Sequence, residues 1–410
     1  MPTDTHAPFP RVAIALADTA AQRLRLGRRP LDAGLVDRAE ARAGRRFRSR
    51  DFEAALAQLA DACGREANLN IFGRISFRWD MLRLLGNVLR LEKAEAQDRG
   101  IVRAEIAAPL FVTGLPRSGT TFLHMLLALD PANRAPLCYE TMQPYPDAGA
   151  GKRDRRIRRV EMQFRGFRRI APGLRRLHPL AATTPQECTE ITAHVFQSMR
   201  FDTTYRVPSY LAWLERRGHA AAFRFHKRFL QHLQAQQPSG ATRWVLKCPD
   251  HVFALDDIVD VYPDARFVFL HRDPASVLPS VAKLTEVLRA PFVRSMDRKA
   301  IGAEVALRCL QGSARMLAAA DRLRDGQTLH LRYEEVTADP MGTLERLYAH
   351  FQTPFSEAAR GRIQAFLDGH PRGGYEVNHY DPAEFGLDLG RARGEFAAYM
   401  GAFGVRAAHA

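Results

Sequence analysis

The chain has 410 residues, 46% hydrophobic and 26% charged, proportions of a folded globular protein rather than a disordered or collagen-like one. Its formal net charge of +15 and isoelectric point near 10.1 imply an anionic counterpart: a nucleotide, nucleic acid, a membrane surface or an acidic acceptor. Only six basic residues are lysines (Lys93, Lys152, Lys227, Lys247, Lys283 and Lys299) and the rest are arginines; a GC-rich genome biases a chain this way, so the basicity is weak evidence for nucleic-acid binding. Five cysteines (63, 138, 188, 248 and 309) with no C-x-x-C argue against a zinc site or a disulfide framework. The N-terminus has no cationic start followed by an apolar core, and no run approaches the ~18 apolar residues of a membrane span. The expectation is a reduced, cytoplasmic protein.

In chain order, residues 1–30 are rich in Pro, Arg and Ala and are expected to be loosely ordered. Residues 31–100 read as helices: Phe52, Leu56, Leu59 and Ala60 recur at helical spacing, and Ile75, Trp79, Leu82, Leu84, Leu85, Val88 and Leu89 form a longer apolar face. The division drawn is a helical extension, 1–105, packed on an α/β domain, 106–410. Leu110–Thr113 is a short β-branched and aromatic run, expected to be a buried parallel strand. Gly114-Leu-Pro-Arg-Ser-Gly119 supplies the turn, and Thr120-Thr121-Phe122 opens an apolar helix. Strand, glycine loop and helix converge their free N–H groups and the helix dipole on one point, which favours an anion. The spacing of the two glycines is that of a Walker A loop, yet Thr120 stands where the phosphate-binding Lys belongs and Arg117 lies inside the loop.

Asp130-Pro131-Ala-Asn133 stops that helix, and 134–138 reads as a short second strand delivering Tyr139-Glu140-Thr141. A carboxylate just past a strand end is where open α/β sheets carry chemistry, although a solvated loop presents the same pattern. Residues 151–180 hold eleven basic residues interleaved with apolar ones at steps of three and four. That pattern fits a lid over an anion, a membrane-surface helix, a docking face for an acidic acceptor, or a plain surface helix. Thr183-Thr-Pro-Gln-Glu187-Cys-Thr-Glu190 begins a further helix, and 205–236 is an aromatic-rich helical region. Arg243–Lys247 is the next strand, and its last residue is an isolated cation at the end of an apolar run, an arrangement that calls for a partner. His251 follows at a helix start. The strand 266–271 leads into Arg272-Asp273-Pro274 with Ser280 eight residues after the Arg, a forked cation and a hydroxyl suited to phosphate. A helix is expected over 311–324, a fifth strand over 328–332 followed by Tyr333, and helices near 340–352 and 356–367.

The loop G-L-P-R-S-G-T-T-F-L, the V-L-K-C-P-D-H around Lys247 and the R-D-P element with its Ser together resemble the sulfotransferases that use 3′-phosphoadenosine 5′-phosphosulfate, above all the bacterial group and the related protein-tyrosine enzymes. The resemblance covers about residues 30–400. It implies an α/β, P-loop-NTPase-like fold: a doubly wound, mostly parallel sheet of about five strands flanked by helices. It also implies transfer of a sulfuryl group from that donor to an acceptor hydroxyl or amine by in-line displacement, without a metal, leaving adenosine 3′,5′-bisphosphate. Cofactor binding then falls to Arg117, Ser118, Gly119, Thr120, Thr121, Arg272, Ser280, Tyr333 and Arg372.

Catalysis falls, on the same resemblance, to Glu140 as leading general base, to Arg117 and Lys247 on the transferring group, and to His251 as a second-choice base, with His124 also open. Fixed donors of this kind contribute on the order of 3–4 kcal/mol each. Family members often carry P-E-E where this chain has Pro185-Gln186-Glu187, so Glu187 and Glu190 are expected to face the acceptor. The acceptor is expected to be a small molecule, lipid or peptide, with peripheral membrane contact through 151–180 and no specific nucleic acid. Two rival readings are an ATP-dependent kinase and a non-catalytic basic protein that binds membranes or nucleic acid.

Overall fold

The computed structural model describes residues 9–24, 30–146, 154–174, 181–237, 241, 243–320, 322–324, 326–370 and 380–407. Five strands, β1 (Leu110–Gly114), β2 (Asn133–Arg134), β3 (Arg243–Lys247), β4 (Arg266–His271) and β5 (Thr328–Arg332), form one sheet in the order β2-β3-β1-β4-β5. Every pairing between them is parallel. β1 is central: Val112 aligns with Lys247 of β3 and Gly114 with Leu270 of β4. The α/β class and the parallel sheet expected from the sequence are what the chain adopts.

Alternation along the strands sorts their side chains onto two cores. Phe111, Trp244, Leu246, Phe267 and Phe269 face one side, in one cluster with Leu35, Phe52, Leu59, Phe77 and Leu85 of the N-terminal helices. Val112, Val245, Val268, Leu270 and Leu331 face the other, against Phe122, Leu123, Leu126 and Leu127 of the loop's helix, Thr120–Ala128, and against Leu344 and Ile363. Each such side chain, fully buried, contributes roughly 1.5–3 kcal/mol. With apolar layers on both faces, the sheet offers its functional groups only at the strand ends.

Several elements differ from the sequence reading, each for a local reason. The second strand is two residues long, because Pro136 has no N–H for a ladder; Cys138–Met142 is a helix. Within residues 1–30, Phe9–Arg23 is helical, and the buried Asp18 accepts from the Ile71 N–H and from Arg294. The aromatic region 205–236 is two helices, Pro208–Arg217 and Ala220–Ala235, broken at Gly218 with φ 73°. The helix expected from 311 starts at Arg298, where Asp297 accepts from the Lys299 and Ala300 N–H groups. On the helix Ile71–Gln97, Ile75 and Trp79 are exposed, and Phe77, Met81, Leu84, Leu85 and Val88 are the residues that enter the core.

Buried charges tie that helix to the rest. Asp80 pairs with Arg83 and Arg200, and both arginines also pair with Glu190. Glu95 accepts from Arg48, Arg228 and His232, and the other ring nitrogen of His232 lies 2.5 Å from the Tyr145 hydroxyl. Burial would raise the Glu95 carboxyl, but the hydrogen bonds from His232 and Arg228 outweigh it and bring it down to about 2. A depressed pKa stabilises the fold above the unfolded carboxylate value near ~4.3, and that contribution is lost as pH falls towards 2.

Glu95→Gln is therefore expected to flatten the acid limb of melting temperature against pH, most visibly below about pH 4, in a calorimetric series. Gly114 has φ 143°, and a Cβ there would lie 2.2 Å from the Leu270 carbonyl oxygen. Gly114→Ala is expected to cost at least about 2 kcal/mol in urea unfolding.

Candidate active site

Three adjacent strand ends build one site. The loop after β1 is bent by Arg117, a non-glycine residue in the left-handed region at φ 65°, and by Gly119 at φ 95°. Gly119 is required here on a second ground, since a Cβ would lie 2.9 Å from the Tyr333 ring. The first intrahelical bond runs from Leu123 N–H to the Gly119 carbonyl at 3.1 Å, so the N–H groups of Thr120, Thr121 and Phe122 precede it and have no acceptor within the helix. The Ser118 hydroxyl is buried with no protein partner, an orphan of the kind a ligand satisfies.

The loop after β4 lies against the same place. Arg272 donates from Nη1 to the Arg117 carbonyl at 2.8 Å, and its guanidinium sits 3.9 Å above the Tyr333 ring. Arg117 in turn donates from Nε to the Ser280 hydroxyl at 3.1 Å. Asp273 caps the helix Pro274–Arg289 through the Ala275 N–H and pairs with Arg393, which holds Ser280 in register. The structure thus joins Arg117, Ser118, Gly119, Arg272, Ser280 and Tyr333 in one cluster. Among the described residues, the Arg272 guanidinium contacts a carbonyl and an aromatic face, neither of which neutralises its charge.

The end of β3 supplies the other pole. Lys247, almost wholly buried, donates from Nζ to the Thr121 hydroxyl at 3.1 Å and to the Glu187 carboxylate at 2.5 Å. This is the partner that an isolated lysine at a strand end calls for. Glu187, expected on the acceptor side, is tied to Lys247. The signal was present in Pro185-Gln186-Glu187, but a β-bridge between Glu187 and Lys247 spans 60 residues and has no local signature.

The expected proton acceptors are placed less favourably. Glu140 is buried, accepts from the Leu137 N–H at 2.9 Å and faces Arg134 at 3.6 Å; burial raises its carboxyl despite these contacts. His124 is buried with Nε2 on the Val245 carbonyl, and burial, aided by Lys247, takes it down to about 3. His251 packs edge-on against Phe111, with neither ring nitrogen partnered, and burial holds it well below the usual histidine range. Glu190 is engaged with Arg83 and Arg200 rather than opening towards an acceptor. Arg372 lies outside the described residues. A separate cavity of about 420 Å³, lined by Leu211, His219, Phe253 and Arg308 among others, contains none of the loop residues.

Of the basic segment, the helix Arg155–Ile170 is described. Arg156 turns inward to Asp154 and to the Gln143 and Pro144 carbonyls, and Val160 is buried against Tyr139. Arg155, Arg158, Arg165 and Arg169 are exposed on the outer side, as is Met162. No helix among the described residues is long and apolar enough to cross a membrane.

The chain is similar to known proteins over most of its length. It is 26% identical over 319 residues to the omega-hydroxy-beta-dihydromenaquinone-9 sulfotransferase Stf3 of Mycobacterium tuberculosis, covering 74% of this chain and 77% of that protein. Among solved structures it superposes on the sulfotransferase STF1 of Mycobacterium tuberculosis with TM-score 0.78 and 29% identity, over 90% of this chain and 100% of that one. Against the sulfotransferase STF9 of Mycobacterium avium the values are TM-score 0.83 and 26% identity, over 93% and 98% of the two chains. The sequence pattern of the sulfotransferase family matches residues 109–357. This P-loop-like α/β chain belongs to the sulfotransferase family and is a sulfotransferase.

Proposed function

We propose that the donor is 3′-phosphoadenosine 5′-phosphosulfate and that the acceptor is a hydroxyl on a small, lipid-like molecule. The observation that carries the donor is the joining of two anion loops: Arg272 bonds the backbone of Arg117, and Arg117 bonds Ser280. A nucleotide with phosphate at both its 3′ and 5′ positions is the ligand whose charges match two such loops side by side. The residues fit it, with an orphan hydroxyl on Ser118, free N–H groups at the start of the loop's helix, and a guanidinium whose contacts bear no negative charge. Arg272, Ser280 and Arg117 would hold the 3′-phosphate, Tyr333 would flank it, and Ser118, Gly119, Thr120 and Thr121 would hold the 5′ end. Bound there, the donor supplies the sulfuryl group. Lys247, anchored on Thr121, would stabilise negative charge at that end.

The lipid-like acceptor rests on the named activity of Stf3, whose substrate is a menaquinone derivative. We extend the reading to peripheral contact with anionic lipid through the exposed arginines of Arg155–Ile170, which the exposed Met162 supports. Five free, buried cysteines support a reducing, cytoplasmic setting.

Titration calorimetry with adenosine 3′,5′-bisphosphate tests the donor. Wild type is expected to bind, and Arg272→Ala to bind at least about tenfold more weakly, the loss of one charge-assisted contact. Binding of Mg²⁺·ATP with no affinity for the bisphosphate would favour a kinase instead. Lys247→Ala is expected to lower turnover on the order of 10²–10³-fold with a smaller change in bisphosphate affinity, measured by transfer of labelled sulfate.

A further inference from the structure

We infer that the general base for the acceptor is Glu187, and that Glu140 is a structural carboxylate; the inference rests on the sulfotransferase reading above. Glu187 and Glu140 are both candidates for this role, and their surroundings divide them. Glu187 bonds Lys247 Nζ at 2.5 Å, and the same Nζ bonds Thr121 on the first turn of the loop's helix at 3.1 Å. One lysine therefore connects this carboxylate to the place where the loop gathers its donors. Glu187 is also reachable: its side chain is 30% exposed, whereas that of Glu140 is 6% exposed. A base must meet an acceptor that arrives from solvent, and a sealed carboxylate does not.

Glu140 has a different job. Its carboxylate accepts the N–H of Leu137, which opens the helix Cys138–Met142. Its other oxygen faces Arg134, which lies over the Trp244 ring and donates to the Leu233 carbonyl. Protonating it would weaken a cap and leave a buried guanidinium poorly paired, a costly step to repeat at each turnover.

The backbone under Glu187 is fixed on both sides. Before it, Gln186 N–H bonds the Pro136 carbonyl at 2.8 Å and Pro185 bridges Leu137. After it, the helix Cys188–Thr192 carries Glu190 into the partly buried cluster with Arg83, Arg200 and Asp80. The helix Ile71–Gln97 of the N-terminal part, which supplies Asp80 and Arg83, thereby helps to hold the segment that carries Glu187.

The step balances. The acceptor O–H proton passes to the Glu187 carboxylate, the acceptor oxygen forms a bond to sulfur, and the bond from sulfur to the bridging phosphate oxygen breaks with its electron pair leaving on adenosine 3′,5′-bisphosphate.

Glu187→Gln tests this, since the amide keeps an acceptor for Lys247 but takes no proton. Three readouts apply: bisphosphate affinity by calorimetry, turnover with a prenyl alcohol, and turnover with 4-nitrophenol ionised in mildly alkaline buffer. The expected pattern is bisphosphate affinity within about threefold of wild type, alcohol turnover lower by roughly 10²–10⁴-fold, and a much smaller loss with the ionised phenol, which has no proton to give. Glu187→Asp, which keeps a carboxylate, is expected to regain part of the alcohol activity and guards against a folding defect in the amide variant. Full alcohol turnover in Glu187→Gln overturns the inference. So does an equal loss with both acceptors, which would mark Glu187 as a support for Lys247, and so does the alcohol-selective loss in Glu140→Gln instead. Failure of wild type to bind the bisphosphate would remove the donor reading itself, a separate outcome.

Discussion

The parallel pairing of β1 with β3 on one side and β4 on the other is the constraint from which the site follows. Parallel neighbours end at the same edge of a sheet, so the loop after β1, Lys247 at the end of β3 and Arg272 after β4 are delivered to one line. Two close backbone approaches keep that line tight. Gly114 lets the loop leave β1 against the Leu270 carbonyl, and Gly119 lets its turn sit under Tyr333. The apolar layers on both faces, rooted in Phe111, Trp244 and Phe269 on one and Val112 and Leu331 on the other, keep the three strands in register.

Charge is distributed along that line in two ways. Arg272 is oriented by a carbonyl and a ring, contacts that fix its direction and leave its charge available. Lys247 is oriented by a hydroxyl and a carboxylate, so its ammonium shares a site with a group that can take a proton. On the proposed reading, one end of the site holds a phosphate and the other moves charge during transfer. Asp273 serves the first end indirectly, capping the helix that carries Ser280, and Glu190 serves the second through its arginine pairs.

Much of this was legible in the sequence where the determinants are local. β3, β4 and β5 are apolar runs closed by polar residues, and their extents agree with the reading. The glycine loop and the R-D-P element announce themselves by residue type and spacing. What was not legible depends on long-range contact. Asp18 finds Ile71 and Arg294, and so gives the N-terminal helix a partner that its own composition does not reveal. The second strand, expected over 134–138, is two residues long because Pro136 lacks the N–H that a longer ladder needs. Glu140 drew attention by standing past that strand, whereas Glu187 reaches Lys247 only through the fold.

The central claim is that one doubly phosphorylated nucleotide spans both anion loops, and a crystal structure of the protein with adenosine 3′,5′-bisphosphate tests it most directly. The account predicts the 3′-phosphate among Arg117, Arg272 and Ser280, and the 5′-phosphate on the N–H groups of the β1 loop with Lys247 beside it. A nucleotide seated away from these residues, or one that engages a single loop with its second phosphate in solvent, would contradict it.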